Sequence, residues 1–74
     1  MNNDSAVILV YSTSYALRVE KFLKEAGIIC RLIPVPRHLS SDCGVCVSID
    51  SSDKDAALHT LETAHVEFNG IYNV

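Results

Sequence analysis

The sequence predicts an α+β fold, a βαββαβ two-layer sandwich of the ferredoxin-like kind with its antiparallel sheet in the order 4-1-3-2. Three observations predict it. Residues 15–26 and 52–64 repeat apolar side chains at helical spacing. Short apolar or alternating segments flank both stretches and read as strands. A connection rich in proline, serine and charge, residues 36–44, separates the middle two strands.

The elements follow in order. Ala6, Val7, Ile8, Leu9, Val10 and Tyr11 form an apolar run rich in β-branched residues, a buried first strand. Ser12, Thr13 and Ser14 then supply candidate helix N-caps. Tyr15, Ala16, Val19, Phe22, Leu23 and Ala26 make the apolar stripe of the first helix, and Glu20 is spaced to pair with Lys24 and Lys21 with Glu25. Gly27 is its natural stop. Residues 28–35 read as a second strand ended by Pro34 and Pro36. Val45, Val47 and Ile49 alternate with Cys46, Ser48 and Asp50, which predicts a third strand with one face buried. Ser52 to Asp55 resembles a capping box with Asp in place of Glu. Ala57, Leu58, Leu61 and Ala64 point the second helix inward, and residues 66–74 form a last strand with a bulge or turn at Gly70.

Both helices must bury their stripes on the same sheet face, which leaves the other face open or covered by a second copy in a homodimer. Right-handed crossovers make strands one and two run the same way. The loops that follow them then share one end of the sheet, so Ser12 and Thr13 are expected near residues 36–44.

Length and composition narrow the function. The 74 residues make one small domain, expected to span 1–74 with residues 1–5 disordered. Such a domain buries only about 60% of its unfolded surface, so support from a metal or a partner subunit is plausible. The net charge is −3 with scattered basic residues and no Trp, which argues against nucleic acid as a partner. No apolar run approaches the ~20 residues of a membrane span. The polar start, Met1 to Ser5, lacks the basic residues of a secretion signal, so a cytoplasmic location is expected.

The three cysteines do not fit a closed set of disulfides. Two of them, Cys43 and Cys46, form a C-x-x-C in the connection that also holds Arg37, His38, Ser40, Ser41, Asp42 and Gly44. A thiolate is stabilised near a helix N-terminus or a cation, and both are expected at this end. Gly44 permits close backbone approach, and the serines and Asp42 can turn the loop, although the charge of Asp42 opposes ionisation of its neighbour. Cys46 falls on the face of the third strand shared with Ser48 and Asp50, and is expected to be partly exposed there.

Three functions compete on these residues. Cys43 can act as a nucleophile that accepts sulfur or selenium, with Arg37 and His38 holding the anion and Cys46 releasing the cargo by forming a disulfide. Cys43, Cys46 and His38 can instead be part of a zinc site, completed by Cys30, another histidine or another subunit. The third possibility is a stabilising turn with incidental cysteines. A dithiol oxidoreductase fits less well, because there the C-x-x-C opens a helix and here it leads into a strand. Cys30 reads as a small packing residue, and His59 and His65 as surface histidines, with His65 at the loop end by topology. Arg31 reads as a solvated strand charge or a second anion ligand.

The stretches YSTSYALRVEKFLKEAGI and RLIPVPRHLSSDCGVCV resemble a family of small bacterial domains described as selenium/sulfur carrier-like and earlier grouped as a domain of unknown function. The likeness covers roughly residues 7–72 and is carried by Pro36-Arg37, Ser40-Ser41, Cys43-Gly44 and the Ser12-Thr13 helix start. The resemblance implies Cys43 as the carrier residue and a cysteine desulfurase, or another sulfur- or selenium-handling protein, as partner. The position of Cys46 is less uniform in that pattern, so its releasing role rests on chemistry alone. The protein thus reads as a carrier without turnover of its own and without a cofactor.

Overall fold

The computed structural model describes residues 4–39 and 44–73. Its elements are β1 (Ser5–Leu9), α1 (Thr13–Glu25), β2 (Cys30–Pro34), β3 (Val45–Asp50), a 3-10 turn (Ser51–Asp53), α2 (Lys54–Thr63) and β4 (Gly70–Asn73). The fold is α+β. Its four strands stand in the order β2-β3-β1-β4, which is the expected 4-1-3-2 read from the other edge. All neighbouring strands are antiparallel.

Strand alternation sorts the side chains into two faces. Ala6, Ile8 and Val10 of the first strand segment, with Val47 and Ile49 of β3, join Ala16, Val19 and Leu23 of α1 and Ala57 and Leu61 of α2 in one core. Both helices therefore cover the same face. The opposite face carries a second, smaller cluster of Val7, Leu9 and Cys46, against which Ile33, Val35 and Leu39 pack.

The two helices end alike. Gly27, at φ 81°, closes α1: its N–H donates to the Lys24 carbonyl at 3.0 Å and that of Ile28 to Leu23 at 2.9 Å. This paired arrangement is the Schellman motif, and its apolar contact is Leu23 with Ile28, both in the core. At the end of α2, His65 donates to Glu62 at 3.2 Å and Val66 to Leu61 at 3.0 Å. There the left-handed position is taken by His65, at φ 57°.

Several expectations are corrected. Of residues 1–5, Asp4 and Ser5 are described. Ser5 is already in β1, and the Asp4 carbonyl accepts from the Ser51 N–H at 3.3 Å. Residues 1–3 lie outside the described residues. β1 ends at Leu9; Val10 stays in the core, whereas Tyr11 is exposed and meets Tyr15 edge-on at 5.8 Å. The second helix is not started by a Ser52 cap. Asp50 Oδ1 accepts from both the N–H and the hydroxyl of Ser52, each at 2.9 Å, because β3 delivers this carboxylate at the first turn. Leu58 and Ala26 face outward. β4 begins only at Gly70, since Val66 is used to close α2 and pairing resumes where Asn69 donates to the Leu9 carbonyl at 2.6 Å. The Tyr72 ring lies over Gly70: a Cβ there would sit 2.8 Å from Tyr72 Cε2 and push this exposed ring aside.

Candidate functional site

The β2–β3 connection leaves the sheet after Pro34, which pairs with Val45. The Val35 N–H donates to the Gly44 carbonyl at 3.1 Å and closes the base of the loop. Pro36 to Leu39 then form a turn in which the Leu39 N–H donates to the Pro36 carbonyl at 3.0 Å. This places Arg37 and His38 at the tip, both exposed. Leu39, half-buried, packs on the Val7, Leu9 and Cys46 cluster. The chain thus folds back over the second face of the sheet rather than pointing away from it.

That geometry corrects the expected exposure of Cys46. It lies on the second face, as the alternation predicts, but it is 0% exposed. β3 is an inner strand, and Cys46 is opposite Leu9 on one side and Ile33 on the other. Its thiol points to the Pro34 carbonyl at 3.9 Å, a long and weak S–H contact. Polar Ser48, half-buried opposite Val7, and exposed Asp50 share its face farther along the strand.

The register also tests the expected meeting of loop and helix. Leu9 opposite Cys46 puts Ser12, three residues after Leu9, and Gly44, two residues before Cys46, at the same end of the sheet. Thr13 opens α1 there. Arg37 and His38 belong to this end too, on a turn that leans over the second face while α1 lies on the other. Ser12 adopts an extended cap conformation, and its carbonyl accepts from Ala16 at 3.0 Å, but its side chain makes no capping hydrogen bond. α1 has no acidic residue in its first turn. Its N-terminal partial positive charge is therefore met by neither the Ser12 side chain nor a first-turn carboxylate. His65, past the end of α2 and ahead of the Asn69–Leu9 bond, reaches the same end of the sheet.

Ser40, Ser41, Asp42 and Cys43 lie outside the described residues. The zinc set of Cys43, Cys46 and His38 includes one of them. Among the described residues, no three of His, Cys, Asp and Glu are grouped so as to hold a metal ion.

Cys30 is a different kind of thiol. It opens β2 on the helix side of the sheet, half-buried against the main core, and its sulfur points to the Glu20 carbonyl at 3.8 Å. Burial pushes its pKa up, the Glu20 carboxylate adds to this, and Lys24 opposes it. The expectation of a packing residue agrees with that environment. Glu20 itself pairs with Lys24 at 3.5 Å, as the helical spacing predicts.

The contact that sequence reasoning missed is that of Leu39 on the second face. Its signal was present: a lone leucine in an otherwise polar loop needs somewhere to bury itself.

Among the described residues, no helix is long and apolar enough to cross a membrane. No curated protein matches the chain. A family model described as "Putative Se/S carrier protein-like" matches residues 5–73, and the chain belongs to that family.

Proposed function

We propose that this member of the Se/S carrier protein-like family accepts a sulfur or selenium atom on Cys43 and hands it to an acceptor protein, on a ferredoxin-like scaffold in the cytoplasm. The family match across residues 5–73 is the observation that carries this function. The geometry supports it in two ways. The loop holding Cys43 starts from a turn that presents Arg37 and His38 to solvent, where a cation is available to an anionic adduct. The same end of the sheet holds the first turn of α1, whose amides favour negative charge. Ser12 and Thr13 belong to that helix start, and Ser40, Ser41 and Gly44 shape the loop.

The chemistry is thiol exchange. The Cys43 thiolate attacks the terminal sulfur of a donor persulfide, such as that of a cysteine desulfurase. A new S–S bond forms on Cys43, the donor's S–S bond breaks, and the donor leaves as a thiolate. An acceptor nucleophile can then take the terminal sulfur. Alternatively Cys46, as thiolate, attacks the Cys43 sulfur. This forms a Cys43–Cys46 disulfide and expels hydrosulfide, or hydroselenide from a selenopersulfide. A cellular dithiol must then reduce the disulfide before another round. The protein is a carrier in this scheme and needs no cofactor.

The test uses untagged protein. Bound zinc is measured first. The protein is then incubated with a cysteine desulfurase and cysteine, and its intact mass is determined. The expected result is a gain of one sulfur that dithiothreitol removes and that Cys43→Ser abolishes. Stoichiometric zinc without sulfur uptake would replace the carrier with a metal-binding module.

A further inference from the structure

The edge of a sheet presents a row of backbone groups to which another strand can pair, and proteins blunt such rows with charge, proline or a covering segment. The edge strands here are β2 and β4. The Val35 N–H donates to the Gly44 carbonyl, one step beyond the Pro34–Val45 pair, so Ile33 and Arg31 bond to β3 in the same phase. Cys30, Leu32 and Pro34 therefore turn their backbone groups outward, and among the described residues no strand takes them up. Pro34 blunts one end of this row, but its middle is Leu32. The flank above the row is apolar as well. The Cys30 sulfur points to the Glu20 carbonyl, and Lys24 lines one surface hollow with Ile29 and Cys30, so the side of α1 that carries Glu20 and Lys24 looks toward this edge. Leu17, one turn before Glu20 on that side, is 52% exposed, and Ile29, at the foot of β2, is 84% exposed.

We propose that two copies of this chain join along β2, antiparallel about a two-fold axis at Leu32, into one continuous sheet. The edge is complementary to itself in this register. Leu32 of each copy exchanges a pair of hydrogen bonds with Leu32 of the other, and each Cys30 N–H donates to the Pro34 carbonyl of the other copy. The Cys30 carbonyl, which proline cannot serve, is left to water at the rim. The other register that makes as many bonds is centred on Arg31 and sets like charges directly opposite each other, which is unfavourable. About Leu32, Arg31 lies beside Ile33 of the second copy instead, and the exposed Ile29 meets Val35. The helices fit the same axis. α1 lies over both β2 and β3, about half a strand spacing inside β2. The symmetry then sets the two α1 helices about 10 Å apart, a spacing at which helices pack. Leu17 is about 4.5 Å up the helix from Glu20, and Leu32 about 6.6 Å up the strand from Cys30, so Leu17 stands close to the axis and meets its own copy there. The two β2–β3 loops fall at opposite ends of the joined sheet, so each copy keeps its own candidate site.

The pairing is independent of the carrier function, and its test needs no sulfur donor. The untagged full-length chain is studied by sedimentation velocity under reducing conditions from about 10 to 200 µM. The species expected at the upper end has the mass of two chains. Leu17→Glu puts like charges at the axis, on a side chain that the single copy leaves exposed. It is expected to raise the dissociation constant at least about tenfold while circular dichroism stays unchanged. Tyr72→Glu, on the strand at the opposite edge, is expected to leave the dimer intact. Amide hydrogen exchange reads the contact without a mutation. The outward Cys30 and Leu32 N–H groups are expected to be protected at high concentration and to lose that protection on dilution, while those of Arg31 and Ile33, bonded to β3, keep theirs. A chain that stays monomeric over the whole range would overturn the proposal. So would a dimer that Leu17→Glu leaves intact, one that Tyr72→Glu dissolves as readily, or one in which the Cys30 and Leu32 amides exchange as fast as in the monomer. If either variant does not fold, the exchange pattern of the unmutated chain decides alone.

Discussion

The two faces of the sheet are built to different standards. The helix side buries twelve residues contributed by both helices, the strands and the segments that close the helices. On the other side, among the described residues, three are buried, with Ile33, Val35 and Leu39 packed against them. Both are apolar at their centres, so hydrophobicity does not distinguish them. The difference lies in what holds the cover. A helix is fixed along its length by its own hydrogen bonds and many contacts, whereas the described part of the turn meets the second face through half-buried Val35 and Leu39. Most of the described core therefore lies on the helix face, and the face that carries Cys46 is the thinner one.

The strongest way to break this comparison is to make the same change on both sides. Leu61→Ala removes a fully buried side chain from α2 and is expected to cost about 2–5 kcal/mol in urea unfolding, a large part of a small domain's stability. Leu39→Ala removes a half-buried side chain from the β2–β3 turn and is expected to cost about 1 kcal/mol. Equal losses would mean that the turn is as integral to the core as α2 is.

A smaller effect of opposite sign comes from the helix ends. α1 and α2 close with the same motif, but only α1 uses glycine at the left-handed position. His65→Gly is therefore expected to stabilise the protein by about 1 kcal/mol, and Gly27→Ala to destabilise it by about as much. Unchanged unfolding midpoints in both variants would show that neither backbone position is strained. His65 stands at the loop end of the sheet, so a gain in stability with slower sulfur uptake would extend the candidate site to this side chain.

Asp50 offers a test at low pH. The N–H and hydroxyl of Ser52 hold its carboxyl below the usual range. Its folded pKa is depressed, so its contribution is present above the unfolded value near 3.9 and is lost as pH falls through the folded one. Asp50→Asn should remove that part of the acid sensitivity in unfolding curves measured from pH 5 downward, with little change in slope at neutral pH.

Much of this organisation was legible in the sequence, for identifiable reasons. Strand parity placed Val45, Val47 and Ile49 on one face and Cys46 on the other, and apolar spacing placed Ala16, Val19 and Leu23 inward, because both periods are set by backbone geometry. Strand order followed from the handedness of crossovers. What the sequence hid was tertiary. Ser48 and Asp50 made the Cys46 face look wet, and nothing in the local pattern says that Leu39 returns to cover one end of it. The start of β4 was misplaced because Val66, apolar like a strand residue, is used to close a helix. Of the candidate site, the shared end of Ser12, Thr13, Arg37 and His38 was legible, while Ser40, Ser41 and Cys43 lie outside the described residues. How its two sides divide, with α1 on one face and the turn on the other, came only from the register.

The finest test separates the two thiols on opposite faces. Cys30, half-buried on the helix side, has its pKa raised first by burial and then by Glu20. The folded protein therefore binds its proton more tightly than the unfolded chain does. This contribution is fully present below the unfolded pKa, which lies near 8.5, and is lost as pH rises through the folded value. Stability of the native chain is thus expected to decline above about pH 8.5. Cys30→Ser should flatten that decline, while Lys24→Gln should deepen it by removing the one charge that favours the thiolate. The measurement is the urea midpoint at a series of alkaline pH values under reducing conditions. An unchanged decline in Cys30→Ser would assign the alkaline sensitivity to another group. The helix face would then hold its cysteine as a mere spacer rather than as a thiol kept protonated by its surroundings.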